Sequence, residues 1–194
     1  MITHVEGKLV EKTPTYAIID CGGVGYMLHI SLNTFSKIGD SEKCKLYTHL
    51  AVREDAHTLY GFADQSERHL FRQLISVSGV GAATARMILS SLSPAEITQA
   101  ILTGNVGLLK SVKGIGEKSA QRIIIDLKGK LGKDDTGMDF TLVPHNKSRE
   151  EALSALMMLG FAKNIAEKAV DKVLKTEGGS VNVEQLIKLS LKNL

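Results

Sequence analysis

A chain of 194 residues, 43% hydrophobic and with a formal net charge of +3, is long enough for one large domain or two to three small ones. It holds no apolar run near the roughly 18 residues that a membrane span needs, and Met1-Ile2-Thr3-His4-Val5-Glu6 lacks the basic-then-apolar pattern of a signal peptide, so a cytoplasmic protein is expected. The charge is uneven: residues 1–63 hold six Lys/Arg against seven Asp/Glu, residues 64–132 nine against five, and residues 133–194 nine against nine, so a polyanionic partner is to be sought in the middle third.

The first segment reads as β. Alternating or β-branched runs at about 2–10, 15–20, 24–31, 43–52 and 57–62 are parted by turn residues at Thr13-Pro14, Cys21-Gly22-Gly23, Gly39-Asp40 and Glu54-Asp55. Five short strands in residues 1–63, with a helical turn at Leu32 to Ile38, suit a small closed barrel such as an OB-fold. Cys21 and Cys44 form no CxxC and have no histidine at ligand spacing, so both read as reduced, partly buried thiols. The six histidines are scattered, and neither a metal nor a cofactor is assigned.

At Asp64 the hydrophobic period lengthens from two to near 3.6. Asp64-Gln65-Ser66-Glu67 reads as a capping box and Ser93-Pro94-Ala95-Glu96 repeats the signal with proline at the first helical position, giving helices at about 65–77, 82–91, 94–103, 105–112 and 117–131. Residues 133–147 show no sustained period and read as a flexible linker. Ser148-Arg149-Glu150-Glu151 reads as a third capping box, and helices at about 149–159, 163–175 and 183–193 form a three-helix bundle whose balanced charge suits protein docking better than DNA. The fold class expected is multidomain α+β: a five-stranded barrel over 1–63, an all-α domain over 64–132, a linker, and a bundle over 148–194.

Within the second segment, Val77-Ser78-Gly79-Val80-Gly81-Ala82-Ala83-Thr84-Ala85 aligns with Val112-Lys113-Gly114-Ile115-Gly116-Glu117-Lys118-Ser119-Ala120 at an offset of 35 residues. Each copy is a Gly-apolar-Gly turn between two helices. The glycines permit unusual backbone angles and leave no Cβ in front of a phosphate, the apolar residue plugs the two-helix core, and the second glycine opens a helix whose free amides favour an anion. Such a helix-hairpin-helix cradle grips phosphate and cannot read bases. The residues assigned to DNA are Gly79, Val80, Gly81, Ala82 and Thr84 in the first hairpin, and Lys113, Gly114, Ile115, Gly116, Lys118, Ser119 and Arg122 in the second. Arg86 is a weaker candidate. Gly-x-Gly turns also join helices with no ligand, but two copies in the one positive segment favour binding. A nucleotide phosphate loop fails on spacing, because Glu117 separates Gly116 from Lys118 and no GxxxxGK[ST] occurs. No catalytic residue is assigned: Asp126 is the only acid closely following a hairpin, and nothing pairs with it at a recognisable spacing.

Glu54 and Asp55, at the tip of a tight turn between two strands, read by themselves as a solvated turn. Together with Gly7, Gly22-Gly23-Val24-Gly25-Tyr26, Val52-Arg53-Glu54-Asp55-Ala56, Leu59-Tyr60-Gly61-Phe62, the twin hairpins and the detached helical tail, they make the chain resemble the RuvA family of Holliday junction branch migration subunits, in matching order from residue 1 to 194. That resemblance implies a homotetramer, or an octamer of two tetramers, whose concave face holds an open four-way junction. It implies that the paired hairpins grip the minor-groove backbone of each arm, and that Glu54 and Asp55 form an acidic pin at the centre that repels phosphates. It also implies that residues 148–194 resemble a ubiquitin-associated-like bundle docking the hexameric ATPase RuvB, with the resolvase RuvC as a further partner. Ala83 and Glu117 stand where some relatives carry lysine, which leaves more of the phosphate binding to backbone amides. In Leu156-Met157-Met158-Leu159-Gly160-Phe161 the apolar residues are expected mostly in the core.

Overall fold

In this computed structural model the described residues are 1–39, 41–134, 144–177 and 181–193. Five strands, β1 (His4–Lys12), β2 (Tyr16–Asp20), β3 (Gly25–His29), β4 (Lys43–Val52) and β5 (His57–Phe62), close into a barrel in the order β1-β2-β3-β5-β4. Every neighbouring pair is antiparallel except β3 with β5. The short helix α1 (Leu32–Lys37) lies between β3 and β4 in the chain, capped by the Ser31 side chain. This is the OB-type barrel expected, and its inward positions follow the period of two: Ala17 and Ile19 on β2 are buried with Val5, Leu28 and Leu46.

Closure depends on β1, which pairs with β4 from His4 to Lys8 and with β2 from Lys8 to Lys12. At the handover a Cβ on Gly7 would lie 2.0 Å from the Asp20 carbonyl oxygen, a distance no side chain can occupy. Glycine is therefore required there by the close approach of two backbones. Cys44 is buried and Cys21 half-buried, the Cys21 thiol donating to the Glu6 carbonyl at 3.2 Å.

Beyond the barrel run α2 (Gln65–Ile75), α3 (Ala82–Ser91), α4 (Pro94–Thr103), α5 (Val106–Lys110) and α6 (Glu117–Asp134). Barrel and helices share one core: Tyr60 and Phe62 of β5 meet Phe71 of α2 at ring distances of 5.1 and 4.9 Å, and His49 of β4 meets the same ring at 5.3 Å. Met1–Gly137 accordingly forms one compact unit and Met138–Leu194 a second.

The capping signals divide. Ser93 and Glu96 form the reciprocal box expected at the start of α4. At α2 only half of it forms: Asp64 accepts from the Glu67 amide at 2.8 Å, but the Glu67 side chain is fully buried and accepts instead from the hydroxyls of Ser31 and Thr34. A tertiary partner more than 30 residues away displaces the local one.

The second unit holds α7 (Pro144–Met158), α8 (Lys163–Glu177) and α9 (Val183–Leu191) around Ala152, Leu156, Ala166, Val170, Val173 and Leu186. Here Ser148 to Glu151 lie inside α7 rather than capping it, because the helix opens at Pro144, where proline's missing N–H costs nothing. Lys133 and Asp134 likewise extend α6, so the expected linker is shorter at both ends; its residues 135–143 lie outside the described ones. Arg149 grips Asp171 through two bonds of 2.7 and 3.1 Å and holds that carboxyl below its usual range. No described helix is long and apolar enough to cross a membrane.

Candidate nucleic-acid interface

The two nine-residue repeats fold alike. Gly79 and Gly114 take left-handed backbone angles, φ 88° and 90°, which a residue with a Cβ would adopt only under strain. One residue on, the Val80 amide donates to Val77 O at 3.0 Å and the Ile115 amide to Val112 O at 3.1 Å, closing the turns. Val77, Val80, Val112 and Ile115 are all buried in the same core, as are Ala85 and Ala120 where the paired helices approach closely. The first helical bonds then run from Ala85 to Gly81 and from Ala120 to Gly116, both at 2.9 Å.

These bonds locate the unused donors. Val80 and Ile115, assigned to DNA from the sequence, have their side chains in the core and their amides committed to the turns. The amides at the start of α3, Gly81 to Thr84, precede the first helical bond, and no side chain caps them. Gly116 to Ser119 are the corresponding residues at α6. Gly81 has an ordinary φ of −82°, and a Cβ on either Gly81 or Gly116 would meet nothing within 4 Å. The fold does not require glycine at those two positions. Their missing side chains leave the amides open to an approach from outside.

Side chains add charge around the second turn. Lys113, Lys118 and Arg122 are exposed, Arg122 lying 4.0 Å from Asp126 one helical turn away. Ala82, Thr84 and Ser119 are half-buried. Sequence reading missed Lys110, whose ammonium bonds the Glu117 carboxylate at 2.9 Å; its only signal is a basic residue seven before an acidic one across a glycine turn. Arg86 is redirected altogether: it donates to Thr15 O and His29 Nδ1, both at 3.2 Å, and so ties α3 to the barrel. Burial, and the nearby Arg86 cation, push His29 below its usual pKa.

Glu54 and Asp55 sit exposed in the β4–β5 turn, which closes with the Arg53 amide on Ala56 O at 2.9 Å. Among the described residues no hydrogen bond or ion pair joins them to the hairpins. In the second unit, Met157, Met158 and Leu159 are 45%, 87% and 62% exposed, so only Leu156 and the half-buried Phe161 of that run serve the core. No group of three or more potential metal ligands occurs among the described residues.

Comparison with known proteins matches residues 1–61 to the RuvA N terminal domain, 71–129 to the SAM-like helix-hairpin-helix tandem, and 147–194 to the RuvA C-terminal domain. Proteins named Holliday junction branch migration complex subunit RuvA are 55% identical in Christiangramia forsetii, 51% in Bacteroides fragilis and 50% in Flavobacterium psychrophilum, each alignment covering 100% of both chains. With the barrel, the twin hairpins and the terminal bundle all matched in order, the chain belongs to the RuvA family.

Proposed function

We propose that the chain is a non-catalytic subunit that binds four-way junction DNA by its sugar-phosphate backbone and serves a branch-migration motor. The observation that carries this reading is the duplicated hairpin, each copy presenting a set of amides beside a glycine that the fold itself does not require. A phosphate oxygen accepts such amides without regard to sequence, and log K should fall by roughly 0.9 per phosphate neutralised for each unit of log salt.

Narrowing the ligand to a junction rests on the family together with the acidic turn. Four copies around a four-fold axis would bring Glu54 and Asp55 to the crossover, where like charges within a few Å repel phosphates on the kcal/mol scale despite screening. The amides hold the arms while the acids part the strands. The second unit, with its apolar Met157-Met158-Leu159 surface, is the part to dock the hexameric ATPase RuvB, and RuvC resolvase would act on the same open junction. The work belongs in the cytoplasm.

The test is a competition between four-way junction and duplex of equal length. Gly79→Asp/Gly114→Asp should lose junction binding, whereas Glu54→Ala/Asp55→Ala should keep or tighten it while discriminating less against duplex. A simple loss of affinity in the acidic variant would refute the pin. DNA cleavage or base excision by the pure chain would favour a repair enzyme instead, and weak, salt-insensitive binding to both DNAs would favour a protein scaffold.

A further inference from the structure

Along the chain, the acidic turn and the first hairpin are connected through one corner. From the turn, β5 runs to Phe62, the chain bends at Ala63 and Asp64, and α2 leads to the hairpin. The angle at that corner therefore helps to set where the hairpin stands relative to Glu54 and Asp55, together with the Arg86 tie from α3 to the barrel. Over the 11 residues of α2, about 16 Å at 1.5 Å per residue, a change of about 10° would move the hairpin by about 3 Å, enough to break a phosphate contact.

Helix α1 and its N-cap residue hold this corner with three residues spaced three apart. Ser31 donates to one Glu67 oxygen; Thr34 donates to the other at 2.7 Å and accepts from the Ala63 amide at 3.2 Å; Lys37 bonds Asp64 at 2.7 Å. Ser31, Thr34 and Glu67 are 1%, 0% and 0% exposed. Burial raises the Glu67 pKa against the pull of the two hydroxyls, so the group is held there at a desolvation cost that an apolar residue would not incur. What an apolar residue cannot supply is direction. Apolar contact of Phe71 with Tyr60 and Phe62 is non-directional, whereas the hydrogen bonds of Thr34 to both Ala63 and Glu67 are directional.

We infer that Glu67 and Thr34 are positioning residues for junction selectivity: they lock the β5–α2 corner so that the acidic turn and the first hairpin meet a four-way junction as one rigid template. This inference rests on the function proposed above. A linear duplex engages the hairpins alone and does not need the template, so the lock should matter for the junction and not for the duplex.

The full-length chain carries the test, with Glu67→Met, Glu67→Gln and Thr34→Val. Duplex affinity should stay near that of the unmodified chain in all three, while Glu67→Met and Thr34→Val lose about tenfold in preference for the junction, the worth of one or two amide-to-phosphate bonds. Glu67→Gln should keep the preference, because an amide can still bond both hydroxyls. Hydrogen exchange at the Ala63 and Glu67 amides should accelerate in the Met and Val variants. A lower melting temperature with unchanged preference would overturn the inference and leave the cluster purely structural. If Glu67→Met does not fold, Thr34→Val decides the matter alone. Absence of any junction preference in the unmodified chain would instead overturn the proposed function, and with it the lock's part in selectivity.

Discussion

The Lys110 ammonium lies 2.9 Å from the Glu117 carboxylate, a bond that crosses the second hairpin from the end of α5 to the start of α6. Gln121 touches the other carboxylate oxygen at 3.5 Å. An acid at the mouth of the proposed phosphate cradle should oppose binding, and Lys110 would offset it. Glu117→Gln should therefore raise junction affinity about threefold to tenfold at low salt, with the gain vanishing at high salt. The pair is exposed, so the melting temperature should barely move. Binding isotherms at two salt concentrations check this, and identical curves would show that DNA does not pass this hairpin.

Gly81→Ala and Gly116→Ala separate folding from binding. Neither added Cβ meets the protein, and alanine in place of glycine at a helix N-cap costs about 0.5–1 kcal/mol. Junction affinity should nevertheless drop by about tenfold for each, since the methyl group stands where a phosphate would approach. Gly79→Ala should show a stability loss as well, about 1–2 kcal/mol for a left-handed φ of 88°. Thermal melts alongside binding distinguish the two classes.

The stability of the first unit should fall on acidification. Burial lowers the pKa of His29 and His49 below the ordinary histidine value of 6.5. A depressed folded pKa means that the unfolded chain takes up the proton first; the stabilisation is full above about pH 6.5 and is lost as pH falls through the folded values. Glu67, raised by burial, has the opposite sign, its contribution declining as pH rises through its elevated pKa. Melting should accordingly be lower at about pH 5.5 than at about pH 7.5, with a shallower fall in His29→Gln. A slope unchanged by that substitution would show that His29 does not contribute.

Phe71 is fully buried between the strands and the helices. Phe71→Ala should cost about 3–5 kcal/mol and uncouple the barrel from α2, so that denaturation monitored on the two parts no longer coincides. A single coincident transition would show that the polar clasp at α1 and Arg86 suffices to join them.

Met158→Ser with Leu159→Ser tests the second unit. Both side chains are mostly exposed, so stability and junction binding should be unchanged. If this unit docks the ATPase RuvB as proposed, stimulation of that ATPase should be lost. Full stimulation by the double variant would move the docking face elsewhere.

The hairpins were legible because everything that shapes them lies within nine residues: Val77, Gly79, Val80, Gly81 and Ala85 declare a plug, two turn positions and a close approach without outside help. The barrel was legible through the period of two, as at Ala17 and Ile19. Glu67 was misread because the local pattern with Asp64 is a valid capping signal, and only the packing of α1 shows that the carboxylate turns inward. Arg86 and the start of α7 failed alike: the arginine's partner sits on β3, and Ser148 to Glu151 imitate a cap one turn inside a helix that Pro144 has already opened. The exposure of Met158 cannot be read from a run in which Leu156 is core, since two residues along a helix point in different directions.

The parallel pairing of β3 with β5 has a consequence for how copies of the chain can meet. Because it joins the two halves of the sheet, each of the five described strands has a paired neighbour on both sides. An open sheet can recruit a neighbour's strand, and that neighbour another, without limit. A closed barrel offers no such edge, so copies of the chain that meet at the barrel would do so through side chains rather than by extending the sheet.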